Sequence, residues 1–175
     1  MARVGLLNKE QVGAEVREMF QEIENKGFPI LNLYRVMAHC PRLGRTFLRL
    51  GNMILFKGTL PPNLRELAIL LVGHLNRAKY EWTQHVAIAL QAGVSQEQID
   101  ALPDWENSGS FNERERAFLR YTDEVTKDIR VKDDTFAAVR SFLNEEGVVE
   151  LTLTIGYYAM VCRILEALQV ELENG

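Results

Sequence analysis

The sequence predicts an all-α protein folded as a single domain over residues 1–175. Three observations carry this. Apolar residues recur at helical spacing along almost the whole chain, helix caps and breakers punctuate that periodicity, and no stretch alternates with the period of two that a half-buried strand requires. A chain of 175 residues buries roughly 70% of the surface its unfolded form exposes, which is ample for a core with a pocket in it.

The first helix carries Val12, Val16, Met19, Phe20 and Ile23 on one stripe, and Gly27 and Pro29 end it. A short helix near residues 31–38 stops at Pro41, and the next carries Leu43, Phe47, Leu50 and Ile54 as far as Gly58. Pro61 and Pro62 then stand in a first turn, where proline is tolerated because those N–H groups have no helical partner. In the helix that follows, to about Asn76, Leu64, Leu67, Ala68, Leu71 and Leu75 form one face. Ile69, Leu70 and Val72 fill much of the rest, so this helix is expected at the centre of the fold, buried nearly all round.

A break at residues 77–79 leads to a helix from Tyr80 with Trp82, Val86, Ala89 and Leu90, which Gly93 closes as a left-handed cap. The two segments should form an antiparallel hairpin. Ser95 with Gln98, and Ser110 with Glu113, have the spacing of capping boxes and start two further helices, the second carrying Phe118, Tyr121 and Val125. Asp133 opens another with Phe136, Val139 and Leu143. The last helix, residues 145–172, is apolar on most faces and is expected to thread the core or a subunit interface. Residues 103–109 form the one connection with room to be mobile, and no repeat or low-complexity tract is present.

Composition excludes several classes of function. The 20 basic and 24 acidic side chains give a formal charge of −4 and are scattered, so nucleic acid is not expected as a partner. Uninterrupted apolar runs stop at six residues (67–72 and 157–162), against the about 20 that a membrane span needs. The N-terminus lacks the apolar core of a secretory signal, and a cytoplasmic protein is expected. Cys40 and Cys162 have no C-x-x-C partner, and each is expected to be a small buried hydrophobe with a reducible thiol.

The hairpin holds the residues that invite chemistry. Glu81 and His85 are four apart on one helix, one turn above each other, within reach of a carboxylate–imidazole bond. Glu66 lies on the preceding helix, and Glu66 and His85 are equidistant from a midpoint between Leu75 and Asn76, close to the expected turn. Its helical neighbours Pro62, Ile69, Leu70 and Gly73 are apolar, so an unpaired carboxylate there would cost several kcal/mol, at about that order. Gly73 is expected to leave space beside it. A carboxylate pulled one way by burial and the other by an imidazolium is how proteins prepare groups for acid/base work. The alternative is that Glu66 complements its helix dipole and Glu81 with His85 is a surface pair. His39 and His74 read as structural, Tyr80, Tyr157 and Tyr158 as core, and Arg35 and Arg163 as solvated or paired.

Residues 60–102, LPPNLRELAILLVGHLNRAKYEWTQHVAIALQAGVSQEQIDAL, resemble the carboxymuconolactone decarboxylase and AhpD-like family, through Glu66 in RELAIL, YEW at 80–82, His85 and the AGVS turn. Weaker similarity extends through LNLYRVMAHCP at 31–41 and GYYAMVCRILEAL at 156–168. The resemblance implies an AhpD-like helical fold, a homo-oligomer, and a site between the hairpin helices near a subunit contact. Family members that act as peroxidases carry Glu, then C-x-x-C, then His; the cysteine positions fall here on Ala78 and Glu81. Dithiol peroxidase chemistry needs both an attacking and a resolving thiol, so this chain sides with the cysteine-free branch.

The expected function is decarboxylase-like lyase chemistry on a small carboxylated lactone or enolisable acid, with Glu66, Glu81 and His85 catalytic and neither cofactor nor metal. In it His85 moves the proton, Glu66 tunes it and Glu81 orients the ring. A divalent ion held by those three residues is the less favoured chemistry. Two further alternatives are a one-cysteine peroxidase using Cys40 beside His39, and a non-enzymatic ligand-binding or structural oligomer.

Overall fold

The computed structural model describes residues 2–25 and 27–173; Met1, Lys26, Asn174 and Gly175 lie outside the described residues. The described residues form helices and no strand: α1 Ala14–Asn25, α2 Asn32–Met37, α3 Pro41–Lys57, α4 Pro62–Leu75, α5 Lys79–Gln91, α6 Gln96–Ala101, α7 Glu113–Lys127, α8 Asp133–Arg140 and α9 Glu145–Leu168. They group into two compact units, Ile54–Ile164 and Met1–Met53 with Leu165–Gly175, so the division falls inside α3 and α9.

Within Ile54–Ile164, α4 is the core helix. Every residue from Leu64 to Gly73 is buried, and α4 packs against α5, against α7 and against a 3-10 turn at Leu102–Asp104. Each fully buried Leu or Ile contributes on the order of 1.5–3 kcal/mol. Tertiary burial therefore holds α4 in place, including its polar members Arg65 and Glu66. From α7 come Phe118 and Leu119, and Phe118 stacks on Phe142 with centroids 5.6 Å apart. Leu151, Ile155 and Tyr158 of α9 complete the apolar interior of this unit.

The start of α4 is clamped. Glu150 of α9 accepts from the Thr59 N–H (2.8 Å), the Thr59 hydroxyl (2.6 Å) and the Leu60 N–H (3.1 Å). A side chain at Gly58 would collide with this carboxylate, which is the physical reason for glycine there. Burial opposes ionisation of Glu150, but the Thr59 and Leu60 bonds together with the positive charge of Arg65 hold its carboxyl below the usual range.

In the other unit, Val12, Val16, Phe20, Ile30 and Ala38 form a cluster flanked by Leu7, Met19, Ile23 and Tyr34. The chain's C-terminal segment is stitched to it by Arg3 N–H to Leu168 O (2.9 Å) and Asn32 N–H to the Glu173 carboxylate (2.6 Å). Cys40, expected to be buried, is exposed at the junction of α2 and α3, whereas Cys162 is buried, and no disulfide joins them.

Several sequence expectations are corrected locally. The box that opens α7 is Asn112 with Glu115, one bond in each direction (3.0 and 2.9 Å). Ser110 is occupied elsewhere, its hydroxyl on Glu97 and its carbonyl on Gln98. The Ser95–Gln98 box at α6 and the left-handed Gly93 (φ 94°) stand as expected. Residues 103–109 are not loose: Arg116 donates to the carbonyls of Trp105 (3.3 Å), Glu106 (3.1 Å), Ser108 and Phe111 (3.2 Å), and Trp105 is buried. The last helix ends at Leu168, where Gln169 turns left-handed (φ 50°). Over a long window α9 is long and apolar enough to cross a membrane, with mean hydropathy 1.5, a property that counting uninterrupted runs misses; 56% of that window is buried inside the protein.

Candidate active site

The hairpin α4–α5 brings together the three residues singled out from sequence. Its turn is Asn76 to Ala78, with Arg77 in a left-handed conformation (φ 56°), so the antiparallel register puts Glu66 opposite His85. His85 Nδ1 lies 2.8 Å from Glu66 Oε2, and its Nε2 lies 3.0 Å from Glu81 Oε1. The imidazole is thus held at both nitrogens by carboxylates. A neutral ring has only one N–H and satisfies one of these bonds; the imidazolium satisfies both.

Burial alone would lower the pKa of His85, but the hydrogen bonds to Glu66 and Glu81 and the negative charge of both outweigh it and raise the pKa to about 9. The ring therefore carries a proton at neutral pH. The group is deep: Glu66 is fully buried, with Glu81 4% and His85 6% exposed. Neither carboxylate belongs to the surface pair or helix-dipole alternative.

Two further residues complete the site: Arg65, which the sequence reading passed over, and Tyr158, which it assigned to the core. Arg65 Nε donates to Glu66 Oε1 at 3.1 Å, and Arg65 is itself 7% exposed. Arg65 and His85 as cations against Glu66 and Glu81 as anions make an electroneutral buried quartet, which is how such a group survives its desolvation. An arginine beside a glutamate on a helix that is otherwise apolar all round was the available signal. Tyr158 of α9 meets the His85 ring edge-on, with centroids 4.9 Å apart and planes at 86°, and Tyr157 packs edge-on against Tyr158 at 5.2 Å. Burial and the charges of Glu81 and Glu66 push the Tyr158 phenol well above its usual range, so it stays protonated. Tyr158 is core, as expected, and it is also the apolar wall of the site.

Gly73 has a different role from the one expected. A Cβ there would make ordinary contact with Trp82 N (3.5 Å) and Glu81 Cβ (3.8 Å), so Gly73 faces the start of α5 rather than leaving space at Glu66. Trp82 is half-buried and meets the exposed His74 edge-on at 6.1 Å. His74 borders a separate cleft of about 180 Å³ lined also by Leu71, Trp105, Asp123 and Lys127, which does not include Glu66, Glu81 or His85. His39 bonds Gly5 O (2.7 Å), Arg35 bonds Ile30 O (3.3 Å) and Arg163 bonds Ala159 O (2.8 Å), each an ordinary structural partner.

Known proteins agree with this architecture. Residues 41–124 match the carboxymuconolactone decarboxylase family. A protein of unknown function from Agrobacterium tumefaciens, provisionally described as an antioxidant-defence AhpD, is 25% identical with a TM-score of 0.72, over 77% of this chain and 93% of that one. An AhpD-core, peroxidase-related protein from Ralstonia eutropha has a TM-score of 0.87 at 20% identity, covering 99% of this chain and 93% of its own. The debrominase Bmp8, as a cysteine-to-alanine variant in complex with 2,3,4-tribromopyrrole, has a TM-score of 0.81 at 20% identity, over 99% and 95%. The last two similarities establish the fold. A search of curated proteins finds no significant match to the sequence. The family match lies across the hairpin at residues 41–124, and the AhpD-like fold extends over the described chain.

Proposed function

We propose that this protein is a cofactor-independent acid/base enzyme acting on a small carboxylated lactone or other enolisable acid, with His85 as its proton donor. The observation that supports the reading is the imidazole clamped between Glu66 and Glu81 with its pKa raised to about 9, which keeps a transferable proton on a buried ring at neutral pH. Glu66, tied to Arg65, stays on Nδ1 and fixes the ring. Glu81 is the partner that a substrate carboxylate replaces on Nε2, being less deeply buried than Glu66. In a decarboxylation the bond from ring carbon to carboxylate carbon breaks, CO2 leaves, and the electron pair is taken up as an enolate of the lactone carbonyl. His85 Nε2 then protonates that carbon and regains its proton from solvent.

Dithiol peroxidase chemistry is not part of this proposal, because Ala78 and Glu81 stand at the cysteine positions. The one-cysteine alternative is less favoured, since His39 Nε2 is held by the Gly5 carbonyl. A cytoplasmic setting accords with two cysteines that form no disulfide. One observation favours a purely structural reading: the group is buried and each member already has a partner.

The two readings separate on thermal stability and proton exchange. Wild type, Glu66→Gln and His85→Ala are melted with a panel of small lactones, keto acids and dicarboxylates, and deuterium incorporation from solvent into each compound is followed by NMR. Stabilisation and exchange by wild type, lost in both variants, is the expected result. Variants that melt early, with no compound shifted or exchanged by wild type, would leave the quartet a structural one.

A further inference from the structure

We propose that the outer face of α3, over residues 41–53, docks on an anionic lipid bilayer, lying along its surface at the headgroup level. Three stripes run along this part of the helix, each rotated about 100° from the last. Gly44, Phe47 and Gly51 are buried and form the inward stripe. A Cβ at Gly44 would lie 2.5 Å from the Met37 carbonyl oxygen, so close approach to the end of α2 fixes which side of α3 faces in. One position back stand Leu43, Leu50 and Met53, 72%, 40% and 50% exposed, with the exposed Thr46 between them. One position further back stand Arg42, Arg45 and Arg49, all exposed. An apolar stripe and a basic stripe therefore lie side by side on the outward half of the helix.

Charge selects the occupant. The chain carries a formal charge of −4, yet residues 41–57 contain no Asp or Glu. Arg45 is paired with Glu15 of α1, while among the described residues Arg42 and Arg49 have no carboxylate partner. Unneutralised arginines beside exposed leucines and a methionine are the pattern of an interfacial helix. The apolar side chains enter the acyl boundary, and the guanidinium groups stay level with the phosphates while their stems lie along the apolar layer. Each cation near an anionic surface strengthens binding about fivefold.

Other occupants fit less well. Pairing α3 with α3 of a second copy brings no carboxylate to these arginines. An acidic protein would need a seat for its anchoring side chains, and the recess beside α3, lined in part by Val16, Met19 and Gly44, holds about 10 Å³. The apolar stripe is about 15 Å long, so attachment is expected to be peripheral and reversible. It does not depend on the reaction proposed above.

Co-flotation with phosphatidylcholine vesicles containing roughly 30% phosphatidylglycerol, compared with pure phosphatidylcholine, tests this. Wild type is expected to float with the anionic vesicles alone. It should be released when salt is raised from about 0.1 M to about 1 M, which shortens the Debye length from about 10 Å to about 3 Å. Arg42→Glu/Arg49→Glu should weaken vesicle binding at least about tenfold, and Leu43→Ser/Met53→Ser should weaken it with the charge unchanged. All four positions are exposed, so thermal melts of both variants should match wild type. A wild type that floats with neither vesicle or equally with both, or binding that survives both double variants, overturns the proposal. So does wild type that binds soluble polyglutamate and not the anionic vesicles, which would assign the face to an acidic protein. Self-association in sedimentation velocity that both double variants abolish, with no vesicle binding, would assign it to a second copy and overturn the proposal equally.

Discussion

Raising the pH should remove stability from this protein in a window that belongs to His85. Its pKa rises from 6.5 in the unfolded chain to about 9 in the fold, so the native state binds the proton more tightly. At 1.36 kcal/mol for each pKa unit, that difference is worth about 3 kcal/mol. The sign follows from linkage: where the native state holds more protons than the unfolded one, stability falls as pH rises. The contribution is fully present below pH 6.5. It declines to about 2 kcal/mol near pH 7.5 and to under about 0.5 kcal/mol at pH 9. Urea unfolding of wild type and His85→Gln at pH 6, 7.5 and 9 isolates it, because the other titrating groups are common to both. His85→Gln should be less stable at pH 6 and should lose the slope between pH 6.5 and 9. Equal slopes in the two proteins, or a His85 ring that titrates below pH 7 by NMR, would refute the clamp as described.

Other perturbations address the elements that surround it. Arg65→Met strands Glu66 without its cation and should cost about 3 kcal/mol in urea unfolding while moving the His85 titration upward; an unchanged midpoint would contradict the quartet. Asn112→Ala should cost about 1 kcal/mol and Ser110→Ala clearly less, because only Asn112 caps α7; thermal melts of the two variants decide it, and the reverse ranking would favour the Ser110 box. Arg116→Met removes the donors that pin residues 105–111, with an expected loss of about 2 kcal/mol and faster amide exchange across that stretch; exchange rates that do not move would show the turn to be held by Trp105 alone.

Much of the fold was legible because its signals are local. Proline in the first turn of α4, the left-handed Gly93 and the Ser95–Gln98 box are one-turn devices, and the periodicity of α4 stated its burial. Where two local signals competed, the sequence could not rank them. Ser110–Glu113 and Asn112–Glu115 offer similar spacing, and the choice was made by Glu97 and Gln98, which occupy Ser110. The loop at 103–109 looked loose since its anchor, Arg116, lies beyond it in the chain and bonds backbone carbonyls that carry no sequence mark.

The convergence of Glu66, Glu81 and His85 was determined by the sequence alone, because helical rise and an antiparallel turn are fixed geometries that count residues. What only the tertiary structure decided is the chemical state of that group. The depth of burial, the orientation of Arg65 onto Glu66 and the Tyr158 wall are set by how the helices pack. Electrostatic energies depend on distance and on the surrounding dielectric rather than on order along the chain, so a pKa of about 9 emerges only once the helices are packed.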